Sequence, residues 1–128
     1  MSTARGIGPA LATLAVVLCT SASAAPSATT KTEINHLFAH LKSSGCQFNR
    51  NGKWYSAEAA SEHLQSKYDY MLKRNMIDST ESFIERAAAG SSTSGKPYLV
   101  QCAGSTPVPS EAWFSAELSR LRAKPGGR

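Results

Sequence analysis

Two cysteines, Cys46 and Cys102, constrain this chain most strongly, because they lie about 56 residues apart in the region that would remain after removal of an apolar N-terminal segment. In an oxidising compartment, an isolated pair of cysteines most simply forms one disulfide. The bridge would close a long loop and contribute roughly 4 kcal/mol, a large share of the stability of about 5–15 kcal/mol that is typical of small domains. No C-x-x-C spacing indicates a redox-active pair, so we expect a structural disulfide.

The N-terminal segment has the layout of a secretory signal peptide. Arg5 supplies a positive start, an apolar run follows, and residues 22–24 (Ala-Ser-Ala) form an A-x-A cleavage motif. The run is shorter than the ~20 residues that cross a bilayer comfortably, although an uncleaved anchor is the alternative. Cys19 follows the large residue Leu18, which argues against a lipoprotein. The sequence therefore predicts a periplasmic or secreted protein with no membrane span after cleavage.

The remaining chain is short enough for a single domain. The whole sequence has 128 residues and a formal net charge of +5. This basic excess is mild and scattered, which, together with export, argues against a nucleic-acid partner. We predict a cleaved signal peptide over residues 1–24, a flexible leader over 25–31, a single α+β domain over 32–122 and a disordered tail over 123–128. We expect a monomer that needs no cofactor.

Capping signals and apolar spacing predict the helices. The capping-box pattern from Thr30 to Glu33 predicts a helix that begins there and ends near Lys42. Ser56 would cap a longer helix over about 57–75, and residues 78–81 would begin a short helix that ends near residue 89. Ser110 would cap the last helix, after a loop.

The sheet is predicted from one turn signal and from strand-forming residues. Asn51 and Gly52 indicate a type I′ hairpin that joins strands over about 46–50 and 53–56. A third strand is predicted over 98–102, so the disulfide would connect the first strand to the end of the third. The sum is an α+β fold, with about four helices around a small antiparallel sheet.

The stretch GSSTSGKP, residues 90–97, nearly matches a phosphate-binding loop, but such a loop joins a strand to a helix. The predicted order here is helix, loop, strand, and Pro97 stands where a metal-binding hydroxyl is required. We therefore interpret the stretch as a turn and not as a nucleotide site. Its end, SGKPY, is similar to the S-G-x-x-Y loop of some periplasmic lysozyme inhibitors.

His36 and His40 lie four residues apart on the first predicted helix, and Glu33 precedes them on the same side. Such a spacing could hold a zinc ion. The sequence offers no H-E-x-x-H motif and no obvious fourth ligand. Exposed histidines on a solvated helix face are commoner, so we predict no metal site.

Basic and aromatic residues at turns and helix flanks form the strongest candidate site. His63 and Lys67 lie one helical turn apart, and Arg50 in the hairpin and Lys96 in the serine-rich loop could join them in a cationic pocket. The alternative is that these side chains lay their stems over the edge of the core. The chain has no G-x-S-x-G or S-x-x-K motif, so we predict no catalytic residue and no enzyme.

Longer stretches of the sequence resemble the YfeK-type family of small exported bacterial proteins, a domain of unknown function. They are CQFNRNGKWYSAEAASEHLQSKY and ESFIERAAAGSSTSGKPYLVQC, followed by Trp113 before the terminal helix. The resemblance extends from about Thr32 to Arg122. It implies export and one small domain but no established activity, and it suggests that the hairpin, the His63–Lys67 edge and the SGKPY loop share one surface. Asn49 is more polar than the resemblance leads us to expect, which leaves the pairing of the first strand open.

We therefore expect a non-catalytic binding or accessory module, whose partner is an anionic envelope component or another protein. The alternative is an inhibitor of a lysozyme-type cell-wall hydrolase that acts through the loop from Ser94 to Tyr98. A small hydrolase, with Ser94 beside His63 and Glu62, is the third possibility. The expected ligand-binding residues are Arg50, His63, Lys67, Ser94, Lys96 and Tyr98.

Overall fold

The computed structural model describes residues 6, 8, 10–17 and 25–124. Residues 10–17, within the predicted signal peptide, form neither a helix nor a strand. The predicted cleavage motif at residues 22–24 lies outside the described residues, as do residues 125–128 of the predicted tail. No helix in the described part of the chain is long and apolar enough to cross a membrane.

The first helix, α1, spans Ala28–Ser43 and therefore begins before the predicted Thr30. Its N-cap is Ser27, whose hydroxyl accepts a hydrogen bond from the backbone N–H of Thr30 at 3.1 Å. Residues 28–31 of the predicted leader are thus helical. One face of α1 is buried, as its apolar spacing predicts, and that face carries Ile34, Leu37, Phe38 and Leu41.

Strands β1 (Gln47–Arg50) and β2 (Lys53–Ser56) form the predicted hairpin. Asn51 and Gly52 at its turn have φ values of 52° and 84°, as a type I′ turn requires. The polar residue Asn49 does not prevent pairing. It lies opposite Trp54 on one side and Leu99 on the other, and its side chain accepts a hydrogen bond from the N–H of Gly52 at 3.1 Å.

The sheet has four antiparallel strands in the order β2-β1-β3-β4, one more than predicted. Strand β3 spans Leu99–Gln101, and β4 is the two-residue strand Val108–Pro109 in the segment predicted as a loop. Helix α4 follows over Ser110–Ala123 with Pro109 as its N-cap, so the prediction that Ser110 is the cap is wrong. Ser110 is instead buried, and its N–H donates to the carbonyl oxygen of Tyr98 at 2.8 Å.

Two helical segments lie between the hairpin and β3. Helix α2 spans Ala57–Lys73, and the hydroxyl of Ser56 caps it as predicted by accepting from the N–H of Ala59 at 3.1 Å. Helix α3 spans Thr80–Phe83 behind a capping box at Ser79, and the chain continues as a π-helical turn over Ile84–Ala88. The predicted short helix is therefore present, but its second half is more loosely wound than an α-helix.

The disulfide between Cys46 and Cys102 is formed, as predicted. It joins the residue before β1 to the residue after β3 and thus reinforces the centre of the sheet. The helices pack together through aromatic side chains: Phe38 of α1, Tyr68 of α2 and Phe83 of α3 have ring centroids 5.2–6.0 Å apart. The chain is an α+β domain, as its sequence predicts.

Candidate functional site

An open groove of about 800 Å³ lies between the β1–β2 hairpin, the second half of α2 and the loop that precedes β3. We call it the cationic groove, because its lining contains arginine and lysine but no aspartate or glutamate among the residues that the structure describes. The acidic residues Glu58 and Glu62 line a different depression on α2. The cationic groove is lined by Arg50, Asn51, Lys53, Tyr55, His63, Ser66, Lys67, Tyr70, Met71, Ser91, Ser92, Thr93 and Tyr98.

Lys67 is held at the back of the groove by two oxygen atoms. Its ammonium group donates a hydrogen bond to the carbonyl oxygen of Gly90 and another to the hydroxyl of Tyr98, at 3.3 Å. The ammonium also lies 5.0 Å from the centre of the Tyr98 ring, within the range of a cation–π contact. Lys67 is therefore a fixed, half-buried cation, unlike a mobile surface lysine.

Tyr98 also contacts His63, one helical turn before Lys67. The Nε2 atom of His63 lies 3.3 Å from the Tyr98 hydroxyl. Since that hydroxyl accepts a hydrogen bond from Lys67, its own hydrogen is available to an unprotonated His63 nitrogen. The three side chains form one hydrogen-bonded row along the groove.

Burial and positive charge shift the pKa values of this row. Burial, with the charge of Arg50 as a second cause, lowers the pKa of Lys67 to about 8. Burial and the charges of Arg50 and Lys67 lower the pKa of His63, whereas burial raises the pKa of Tyr98. At neutral pH this row thus carries the charge of Lys67 beside an uncharged imidazole and an uncharged phenol.

The hairpin supplies the opposite wall of the groove. The guanidinium of Arg50 lies 4.5 Å from the centre of the Tyr55 ring, and the ammonium of Lys53 lies 5.5 Å from it. A hydrogen bond from Arg50 is the main reason why the pKa of Tyr55 is lowered. The two cations flank the tight turn, so their backbone positions are fixed even where their side chains are exposed.

Two of the six expected binding residues lie outside the groove lining. The hydroxyl of Ser94 donates to the side-chain oxygen of Asn51 at 2.7 Å, which links the loop to the hairpin turn. Lys96 is exposed, and its carbonyl oxygen accepts from the N–H of Ser91 at 2.9 Å. The structure therefore brings four of the expected residues together in the groove lining and leaves Ser94 and Lys96 outside it. The four are Arg50, His63, Lys67 and Tyr98.

A small apolar cavity of about 40 Å³ lies behind the cationic groove. Four groove residues also line this cavity, so the two spaces meet at a common rim formed by Arg50, Tyr55, His63 and Tyr98. The rest of the lining comes from five different elements and is apolar apart from Asn49 and Ser110. Its apolar residues are Leu41, Phe48, Ala59, Ala60, Leu64, Ala88 and Phe114.

The three residues of the alternative zinc site on α1 do not converge, because Glu33 has different partners from the two histidines. Glu33 is buried, accepts a hydrogen bond from the hydroxyl of Thr80 at 2.7 Å and pairs with Arg122. His36 and His40 both contact Glu117 of α4, at 3.1 Å and 3.4 Å. Within the described ranges, no group of histidine, cysteine or acidic residues is arranged to hold a metal ion.

Glu117 is instead the centre of a polar cluster between α1 and α4. Burial alone would raise its pKa, but hydrogen bonds from Arg120 and His36 and the charge of His40 outweigh burial and lower the pKa to about 2. His40 also stacks on Trp113, with ring centroids 4.5 Å apart. This cluster connects α1 with α4 and gives both histidines a structural partner in Glu117.

Several groove residues were not among those expected from the sequence. Lys53 and Tyr55 follow the Asn51-Gly52 turn, and basic residues on both sides of a tight turn are a usable signal for a cationic wall. Tyr70 lies three residues after Lys67 and seven after His63, which places it on the same helix face. The serine and threonine residues of the loop before β3 gave no such signal.

The fold and the groove define a small, disulfide-bonded α+β domain with a groove lined by cations. Among known protein families, the chain belongs to the family of unknown function DUF5329, whose model matches residues 28–122. The uncharacterized protein YfeK of Salmonella typhimurium (strain LT2) is 45% identical over 51 residues, which are 40% of this chain and 41% of that relative. The match thus spans about two fifths of each protein. The predicted YfeK-type resemblance is confirmed, and no solved structure matches the chain.

Proposed function

We propose that this protein is a non-catalytic binding module of the bacterial envelope, periplasmic or secreted, that holds an anionic envelope component or an acidic partner protein in the cationic groove. The disulfide supports a location outside the cytoplasm, because such bridges persist in oxidising compartments.

The observation that carries this proposal is the charge of the groove. Arg50, Lys53 and Lys67 line it without a counter-charge among the described lining residues. A concave surface lined by charges of one sign focuses the electrostatic field and attracts ligands of the opposite sign. A bound anion would also relieve the repulsion between Arg50 and Lys67 that contributes to the low pKa of Lys67.

The proposal is tested by thermal unfolding of the oxidised protein with phosphate, sulfate, acetate and citrate at low and high ionic strength. Ligands that bind the folded state raise Tm, and the increase grows with the logarithm of the ligand concentration once that exceeds Kd. The variant Arg50→Gln/Lys67→Met should lose the increase that the parent shows at low salt.

A matched control removes the same charge elsewhere. Lys42→Gln/Lys73→Gln changes two lysines that lie outside the groove lining. If the control and the groove variant respond equally to every anion, the groove is not the binding site.

Inhibition of a cell-wall hydrolase is the second candidate, and the loop before β3 favours it. Residues Ser94 to Pro97 are exposed, yet the loop backbone is braced by a bridge between Gly90 and Pro97 and by the hydrogen bond between Ser91 and Lys96. An exposed but pre-organised loop loses little entropy when it enters another protein. A lysozyme lysis assay tests this function, with Lys96→Ala compared against Lys73→Ala. Full lysis at excess parent protein rejects it.

A hydrolase is the least supported of the three. It would need Ser94 to contact a base, but Ser94 donates to Asn51 while His63 contacts Tyr98. A measured turnover that disappears in Ser94→Ala would overturn the non-catalytic proposal.

A further inference from the structure

We propose that the ligand is an organic anion with a short apolar group, whose charged end lies in the cationic groove and whose apolar end enters the cavity behind it. This inference rests on the proposed function, and it adds the chemical class of the ligand.

The apolar cavity is the first observation. Phe48, Leu64, Ala88 and Phe114 are buried in the core and present hydrocarbon to this space. Cavities of this chemistry offer water few hydrogen-bond partners and accept hydrocarbon instead. The volume of about 40 Å³ corresponds to roughly three water molecules, which limits an apolar group to a few carbon atoms.

The common rim is the second observation. Arg50 lines both the groove and the cavity, so a carboxylate or phosphate paired with its guanidinium lies at the entrance to the apolar space. Tyr98 also lines both spaces, and its hydroxyl accepts a hydrogen bond from Lys67 in the groove. The cationic groups and the apolar cavity are therefore adjacent, as the charged head and the hydrocarbon tail of one small ligand would require.

This geometry distinguishes the ligand from two related classes. An inorganic anion would leave the cavity unused. A long-chain lipid would share the anionic head, but most of its chain would find no space in a cavity of about 40 Å³.

The test is calorimetric titration of the oxidised protein with straight-chain carboxylates from acetate to decanoate, each below its micelle concentration, and with the alcohols of matching length. Each methylene that enters the cavity should tighten binding about fourfold. We expect the affinity to rise over the first few carbons and then to level off, and we expect the alcohols to bind much more weakly.

A cavity-filling variant provides the second readout. In Ala60→Leu, the ratio of hexanoate affinity to acetate affinity should fall towards one, and Ala59→Leu serves if the first variant does not fold. If acetate binds but chain length has no effect, this inference is overturned and the anion site stands. If affinity rises through decanoate without levelling, or if the ratio survives both variants, the apolar group lies elsewhere and the inference is also overturned. If no carboxylate and no inorganic anion binds, the proposed function itself fails.

Discussion

The ammonium of Lys67 lies 3.3 Å from the hydroxyl of Tyr98 and 5.0 Å from the centre of its ring. These residues stand 31 positions apart, one on α2 and one just before β3. Their contact closes the back of the cationic groove, and it holds an amine in a place where burial and Arg50 make its charge costly. Burial and Arg50 thus lower the pKa of Lys67 to about 8, at which its amine is still mostly charged at neutral pH.

Removal of the Tyr98 hydroxyl tests how far this contact stabilises the fold. Tyr98→Phe keeps the ring but deletes the group that joins Lys67 and His63. We expect a loss of about 1 kcal/mol in the free energy of unfolding, the net value of a typical hydrogen bond. Urea denaturation measures it, with Tyr70→Phe as the control, because Tyr70 is an exposed tyrosine of the same groove. Equal losses in the two variants would show that the hydrogen bonds of the Tyr98 hydroxyl do not stabilise the fold.

The groove could be inferred from the sequence only where its signals were local. The Asn51-Gly52 turn and the Ser56 cap are short-range patterns, and both are confirmed. The face shared by His63 and Lys67 follows from helix geometry alone. The position of Lys96 depends on the path of a loop, so its distance from the other cations could not be inferred from residue spacing. In the structure, Lys96 lies outside the groove lining.

The elements that the sequence predicted wrongly depend on contacts between residues that are distant in the sequence. Thr30 and Glu33 match the capping-box pattern, but Ser27 caps the helix. Glu33 instead accepts a hydrogen bond from Thr80 and forms a salt bridge with Arg122. The pairing of Val108–Pro109 with β3 depends on a neighbouring strand and not on local propensity. The π-helical turn over Ile84–Ala88 lies in a stretch whose capping signal and apolar residues predict an ordinary helix.

The disulfide should contribute strongly to stability. Cys46 and Cys102 are separated by 56 positions, and a loop of that length corresponds to about 4 kcal/mol in the chain-entropy model. We expect Cys46→Ala/Cys102→Ala to lose an amount of this order relative to the oxidised parent in guanidinium denaturation. The reduced parent should resemble the variant. A variant as stable as the oxidised parent would contradict this expectation.

Gly90 occupies a place where a side chain does not fit. A Cβ atom there would lie 2.9 Å from the carbonyl oxygen of Lys96, which is backbone and cannot turn away. Gly90→Ala should therefore destabilise the protein by about 1–3 kcal/mol, the usual cost of overpacking. It should also disturb Lys67, which donates to the Gly90 carbonyl. Thermal unfolding measures the effect, and the exposed loop variant Ser92→Ala should change Tm little. Similar Tm values for the two variants would refute the steric argument.

Glu117 should make stability sensitive to acid. Its folded-state pKa of about 2 lies below the ordinary value of 4.5, so its contribution is complete above pH 4.5 and is lost as the pH falls towards 2. In urea denaturation between pH 7 and pH 2, Glu117→Gln should therefore lose less stability than the parent over the acid range. Other paired carboxylates such as Glu81 are present in both proteins, so the difference isolates Glu117. Parallel pH profiles would contradict the lowered pKa.

The pKa of Lys67 tests the central claim, that the cationic groove is an anion site, most directly. It is measured by NMR titration of the Lys67 side-chain nitrogen, without and with saturating phosphate. The free protein should show a midpoint at about 8. A phosphate bound beside the ammonium favours its charged form, so the midpoint should rise. A midpoint that phosphate leaves unchanged, while the protein remains folded, would contradict the account.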